Sequence, residues 1–165
     1  MHHLFKRSLL PAASLLAILL LLAAACADDS GIKDARTITV EGAFTFKVPG
    51  DMSGVDTRGI DSIAGAFAGP SIKLEYDYGA FSDPLGNDSS DGFKLTLLTI
   101  DGHEARIERF QDPSADASFP LVAAIHFPDL GNGNLLTMYA RSRDEDAQDV
   151  AMDIFRSIRF IEAES

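Results

Sequence analysis

Residues 142–160 read SRDEDAQDVAMDIFRSIRF, and the spacing of their apolar side chains decides the fold class. Ala147, Val150, Ala151, Ile154, Phe155 and Ile158 recur in alternating steps of three and one. That is a continuous apolar stripe on a 3.6-residue period, the mark of an amphipathic helix with one face in a core. Ser142-Arg143-Asp144-Glu145 has capping-box spacing. Acids crowd the first turn, while Arg156 and Arg159 sit near the end, and both suit the helix dipole.

Towards the N-terminus the period changes to two. Leu135–Arg141 predicts a strand, and Leu121, Ala123, Ile125 and Phe127 predict another, with Pro128–Asn134 turning between them. Phe93–Ile100 and His103–Phe110 flank Asp101-Gly102, a strong hairpin signal. Phe93, Leu95 and Leu97 share a face of the first strand, and Ala105 and Ile107 face in from the second. The cleanest alternation sets Ile72, Leu74, Tyr76 and Tyr78 against Lys73, Glu75 and Asp77. Gly69-Pro70-Ser71 turns it back to a weaker alternation over Ile60–Phe67, and Met52–Arg58 reads as irregular. Ile38, Val40, Phe44, Phe46 and Val48 fall on even positions, a strand or strand pair ended by Pro49-Gly50. The expectation is an α+β domain: an antiparallel sheet of about six to seven strands with the C-terminal helix packed on one face.

This order resembles the Mog1/PsbP-like α+β family. The resemblance is carried by the opening strand Phe44-Thr45-Phe46-Lys47-Val48-Pro49 and the closing run from Asp153 to Phe160. It implies an accessory or assembly factor, with no shared catalytic residues to carry over.

The N-terminus carries a separate message. Lys6 and Arg7 precede an uncharged run from Leu9 to Ala25, rich in leucine and alanine, that ends in Ala23-Ala24-Ala25-Cys26. Positive start, apolar centre and small-residue end are the anatomy of a signal peptide. An uncleaved membrane helix is the alternative reading. Pro11 and the lack of basic residues after the run argue against it. The end of the run resembles the lipobox of bacterial lipoproteins, with Ala23 where that family usually has leucine. The resemblance implies that residues 1–25 are removed, that Cys26 is acylated, and that the bilayer is a partner through it. Ala27, not aspartate, follows the cysteine, which in the family rule directs the protein to the outer membrane. Residues 26–36 then read as a polar tether, and 37–161 as one domain.

Cys26 is the only cysteine, so no internal disulfide is available and the core stands on packing. The roughly 140 residues after the signal suffice for such a core. The net charge is −11, and the signal contributes two positive charges to it, so the remainder is more negative still. Such a surface repels phosphate backbones and anionic lipid, which excludes nucleic acid as a partner.

Chemistry-bearing constellations are sparse. No Gly-x-Ser-x-Gly, no His-Glu-x-x-His and no cysteine pair occurs, and no cofactor is implied. His103 follows a turn and reads as exposed; His126 stands between Ile125 and Phe127 and faces away from them. Asp61, Asp77, Tyr78 and Ser82 would cluster into a ligand or partner face if the strands at 60–67 and 72–78 pair. Gly65 and Gly69 nearby would permit a close approach or mark a bulge. Asp83, Asn87, Asp88 and Asp91 offer hard oxygens in a polar loop, a weak calcium candidate without EF-hand spacing. The leading expectation is a non-catalytic, membrane-anchored binding or assembly-accessory module of the cell envelope, acting by protein contact. The alternatives are a small-ligand or calcium-binding lipoprotein and, behind it, a small hydrolase.

Overall fold

Antiparallel pairing starts where the alternation does. The computed structural model describes residues 31–57, 59, 61–131 and 133–161. The signal segment, Cys26 and the first part of the tether lie outside them, as do Arg58 and Ile60. β1 (Arg36–Val40) and β2 (Phe44–Val48) form a hairpin, turned by Gly42 at φ +71°, where glycine alone is unstrained. β3 (Ser53–Val55), β4 (Ile63–Ala68), β5 (Ile72–Gly79), β6 (Lys94–Ile100), β7 (His103–Gln111), β8 (Leu121–Phe127) and β9 (Leu135–Ser142) follow, then α1 (Glu145–Arg156) and β10 (Arg159–Phe160). Seven strands form one antiparallel sheet in the order β3-β4-β5-β9-β8-β7-β6. The first hairpin leaves that sheet and pairs instead with β10, in the order β1-β2-β10.

The inner face of the large sheet carries both α1 and the small sheet. Phe44 and Phe46, fully buried, bring their rings to 5.6 Å and 5.9 Å from Tyr76, and Phe46 lies 5.8 Å from Phe67. Ile154, Phe155 and Ile158 are fully buried beside them. At about 25 cal/mol per Å², burial of this stripe and the aromatic cluster is the main stabilising term. The end of α1 is tied to β2: Ser157 Oγ accepts the Lys47 N–H at 2.8 Å and donates to the Ile154 carbonyl at 2.6 Å.

Four local readings change. The helix cap is Asp144, whose Oδ1 accepts the Ala147 N–H at 2.9 Å; Ser142 belongs to β9 and is buried. Leu95 and Leu97 share a face as expected, but it is exposed, because β6 is an edge strand and Leu98 and Ile100 are the residues turned to the core. β3, within the stretch read as irregular, is a strand. Ile32, inside the stretch read as tether, is 7% exposed and part of the core.

Candidate functional site

The outer face of the large sheet is not bare. β8 is apolar at both parities, and Val122 and Ala124 on its outer side are buried like the inner set. A strand apolar on both faces needs cover on both. Two loops supply it. Residues 112–120 are held by Lys73, which pairs with Asp116 at 2.7 Å and lies 4.6 Å from the Phe119 ring centre, and by Arg141 to Asp112 at 3.0 Å. These pairs hold the Asp112 and Asp116 carboxyls below the usual range, mainly through hydrogen bonds from Ser114 and Lys73 respectively.

Residues 80–92 form the other cover, a strap over a buried polar network. Glu108 is fully buried, with Oε1 on Arg106 and Oε2 accepting the Asn87 N–H at 3.3 Å and its amide at 3.1 Å. Thr137 Oγ1 donates to the Asp83 carbonyl at 2.6 Å and lies 2.8 Å from His126 Nδ1. Its single hydrogen is thus committed, so the His126 proton is assigned to Nδ1, which donates to Thr137. Burial pulls the His126 pKa below its ordinary value, against the opposing charge of Asp83. Tyr139 donates its hydroxyl to Asp83 Oδ2 at 3.3 Å, and burial, aided by the Asp83 charge, pushes its pKa up to about 12.

Between this strap and the β3–β4 edge lies an open groove of about 550 Å³. Ala64 and Ala66 are too small to fill the outer side of β4, which creates the hollow. Glu75 and Asp77 from β5 and Tyr139 from β9 line it, with Asp56 and Asp83 on opposite rims. Among the described residues no lysine or arginine lines the groove or pairs with Glu75 or Asp77. Of the basic residues on this face, Lys73 and Arg141 are already paired with the other loop and Arg106 with Glu108. The arrangement suits a cation with some length, such as a basic side chain.

The candidate residues distribute as follows. Cys26 lies outside the described residues. β4 and β5 do pair, with Ile63 opposite Tyr78. Ser82 Oγ bonds the Asp77 carbonyl at 2.6 Å and its Oδ2 at 3.3 Å, so these two meet. Asp61 is exposed, its carbonyl near Gly79. Tyr78 faces the core, its hydroxyl bonded by Asn134 Nδ2 at 3.2 Å, so it does not join Asp77. Adjacent residues of a strand point to opposite faces. Gly65 accommodates the Tyr76 ring and Gly69 the Met52 side chain. In the acidic loop, Asp83 accepts from the Leu85 N–H at 3.0 Å and from Tyr139, and Asn87 donates its backbone N–H and its side-chain amide to Glu108. Asp88 is exposed, and Asp91 accepts the Gln111 N–H through its carbonyl at 2.8 Å. No group of three or more His, Cys, Asp or Glu gathers to hold a metal among the described residues. His103 packs edge-on against Phe160 at 4.8 Å and is part-buried, on the opposite face of the sheet from His126.

No family model matches the chain, and no curated protein matches it in sequence. Solved structures do. The solution structure of cyanobacterial PsbP (CyanoP) from Synechocystis aligns over 85% of this chain and 99% of its own, with TM-score 0.51 and 14% identity. A crystal structure from Bacteroides thetaiotaomicron aligns over 77% of this chain and 48% of its own, with TM-score 0.50 and 11% identity. The chain has the Mog1/PsbP-like fold.

Proposed function

We propose that this protein is a non-catalytic binding or assembly-accessory module of the bacterial envelope, held to a membrane by acylated Cys26 and acting by protein contact. The outer membrane is the proposed site. The observation that carries the contact is the acid-lined groove, where Glu75 and Asp77 stand without a cation from the described part of the chain. A basic segment of a partner protein supplies that charge, its side chains entering over Ala64 and Ala66. The Ala64 and Ala66 floor allows close approach, and the strap at Asp83 fixes the rim.

The test is site-specific photocrosslinking of the full chain in its native cells, from position 66 in the groove and from position 149 on the exposed helix face. A defined partner captured from 66 alone, and lost in Glu75→Lys/Asp77→Lys, supports the reading. The same abundant neighbours from both positions refute it. The anchor is tested separately: intact mass shows a chain beginning at lipidated Cys26, and Cys26→Ser moves the protein out of the membrane fraction.

A further inference from the structure

We propose that β6 is a self-pairing edge, which joins two copies of this chain through a two-fold axis at Leu97. β6 ends the large sheet, with β7 on one side and, among the described residues, no strand on the other. Natural edges are normally protected by proline, bulges, inward charges or brevity. β6 has none of these. It runs seven residues, LysLeuThrLeuLeuThrIle from 94 to 100, in unbroken register with β7, and its one charge is the terminal Lys94.

The hairpin fixes which backbone groups are free. Asp101 and Gly102, at φ +50° and +83°, make a two-residue turn between Ile100 and His103. In such a hairpin the flanking pair exchanges both hydrogen bonds, and bonding alternates from there. Ile100, Leu98, Thr96 and Lys94 therefore bond β7. Leu95, Leu97 and Thr99 turn their N–H and C=O groups outward.

A second β6 laid antiparallel with Leu97 opposite Leu97 satisfies every one of those groups. Leu97 exchanges both bonds with its own copy, and Leu95 exchanges with Thr99 in both directions. The side chains agree with the register. Leu97 and Leu95 are 73% and 49% exposed on the outer face, and pairing places the two Leu97 side chains together with each Leu95 beside a Thr99. The charges agree as well. Copies of a chain with net charge −11 repel, yet residues 93–100 carry no acid, and each Lys94 arrives beside the other copy's Ile100-Asp101 end. The contact is isologous, so it closes as a dimer and does not propagate. A single strand edge buries less than the roughly 1,200 Å² of a standard stable interface, so the dimer is weak and concentration-dependent.

The register gives a sharp test. In the full chain carrying Cys26→Ser, single cysteines are placed at Leu97, Leu95 or Thr99 and mildly oxidised. Across the two-fold, residue 97 lies about 5.5 Å from its own copy, within disulfide reach. Residues 95 and 99 lie about 14 Å or more from their own copies along the strand. Leu97→Cys is expected to form a disulfide dimer, Leu95→Cys and Thr99→Cys alone to form little, and a mixture of those two to form a heterodimer. Sedimentation of the Cys26→Ser chain should show a monomer–dimer equilibrium that Leu97→Lys abolishes. Failure of Leu97→Cys to link overturns the proposal and leaves the edge to a foreign strand. Equal yields at all three positions reflect random collision and overturn it too.

Discussion

Glu108→Ala removes a carboxylate with no exposed surface, so its cost is worked from what is left behind. Arg106 loses its counterion while its Nε, already buried without a partner, stays so. Asn87 loses the acceptor of both its N–H and its side-chain amide, which unclips the strap from the sheet. Breaking a buried pair by deleting one partner typically costs about 3–5 kcal/mol. The Arg106 side chain is 36% exposed and recovers some hydration, so the expected loss is nearer 2–3 kcal/mol. Glu108→Gln keeps the volume and one acceptor, but its amide donors face the donors of Asn87; about 1–2 kcal/mol is expected. The chain has no tryptophan, so urea unfolding is followed by far-UV circular dichroism at pH 7, with the slope held constant between variants. Replacing both partners, Arg106→Met with Glu108→Met, should recover much of the loss, because no unpaired charge remains. An alanine variant within about 0.5 kcal/mol of the parent would refute the reasoning, since surface substitutions fall in that range.

Other outcomes follow from the same geometry. Because burial lowers the folded His126 pKa, the unfolded chain binds the extra proton. Stability is therefore lost as pH falls below about 6.5, and His126→Gln should flatten that part of a stability–pH curve. Tyr139, raised to about 12, should remain un-ionised after an ordinary phenol has titrated, and Tyr139→Phe should delete that late step from an ultraviolet titration. The raised value also means that stability falls as pH rises above about 10, less so in the phenylalanine variant. Gly65→Val drives a branched side chain into the Tyr76 ring, itself wedged between Phe44 and Phe46; a loss of about 1–3 kcal/mol in urea unfolding is expected.

The helix and most of the strands were legible because each has one dry face and one wet face. The apolar stripe from Ala147 to Ile158 and the alternation at Ile72–Tyr78 say directly which side is inside. Helix capping was misplaced by two residues because Ser142, Asp144 and Glu145 all have capping chemistry, and only pairing of β9 through Ser142 with Leu121 and Ile72 decides among them. The separation of the first hairpin into its own sheet has no local signal, since its partner β10 lies over a hundred residues away. The outer-face network was missed although a signal existed. Leu121–Phe127 is apolar at every position except His126, and such a run demands cover on both faces. From that, the long loops at 80–92 and 112–120 become covers of the outer face, and Glu108 opposite Ala124 becomes buried. Of the expected cluster, the structure brings Asp77 and Ser82 together. Tyr78 turns to the opposite face by strand alternation, a constraint already present in the sequence.

Ile32 is held in the core, and Gly31 beside it sits at φ +64°, where a side chain would be strained. The stretch between the proposed lipid on Cys26 and the buried Ile32 is therefore five residues and not a full ten, a contour of about 20 Å at most. That is less than the span of a small domain. With the proposed anchor in place, a protein moored so closely would search in two dimensions: it would meet what the membrane carries past it, and would present its flanks repeatedly to neighbours moored in the same way. Lengthening this mooring by a flexible insert before Ile32 would change whom the protein encounters without altering a single contact inside the fold.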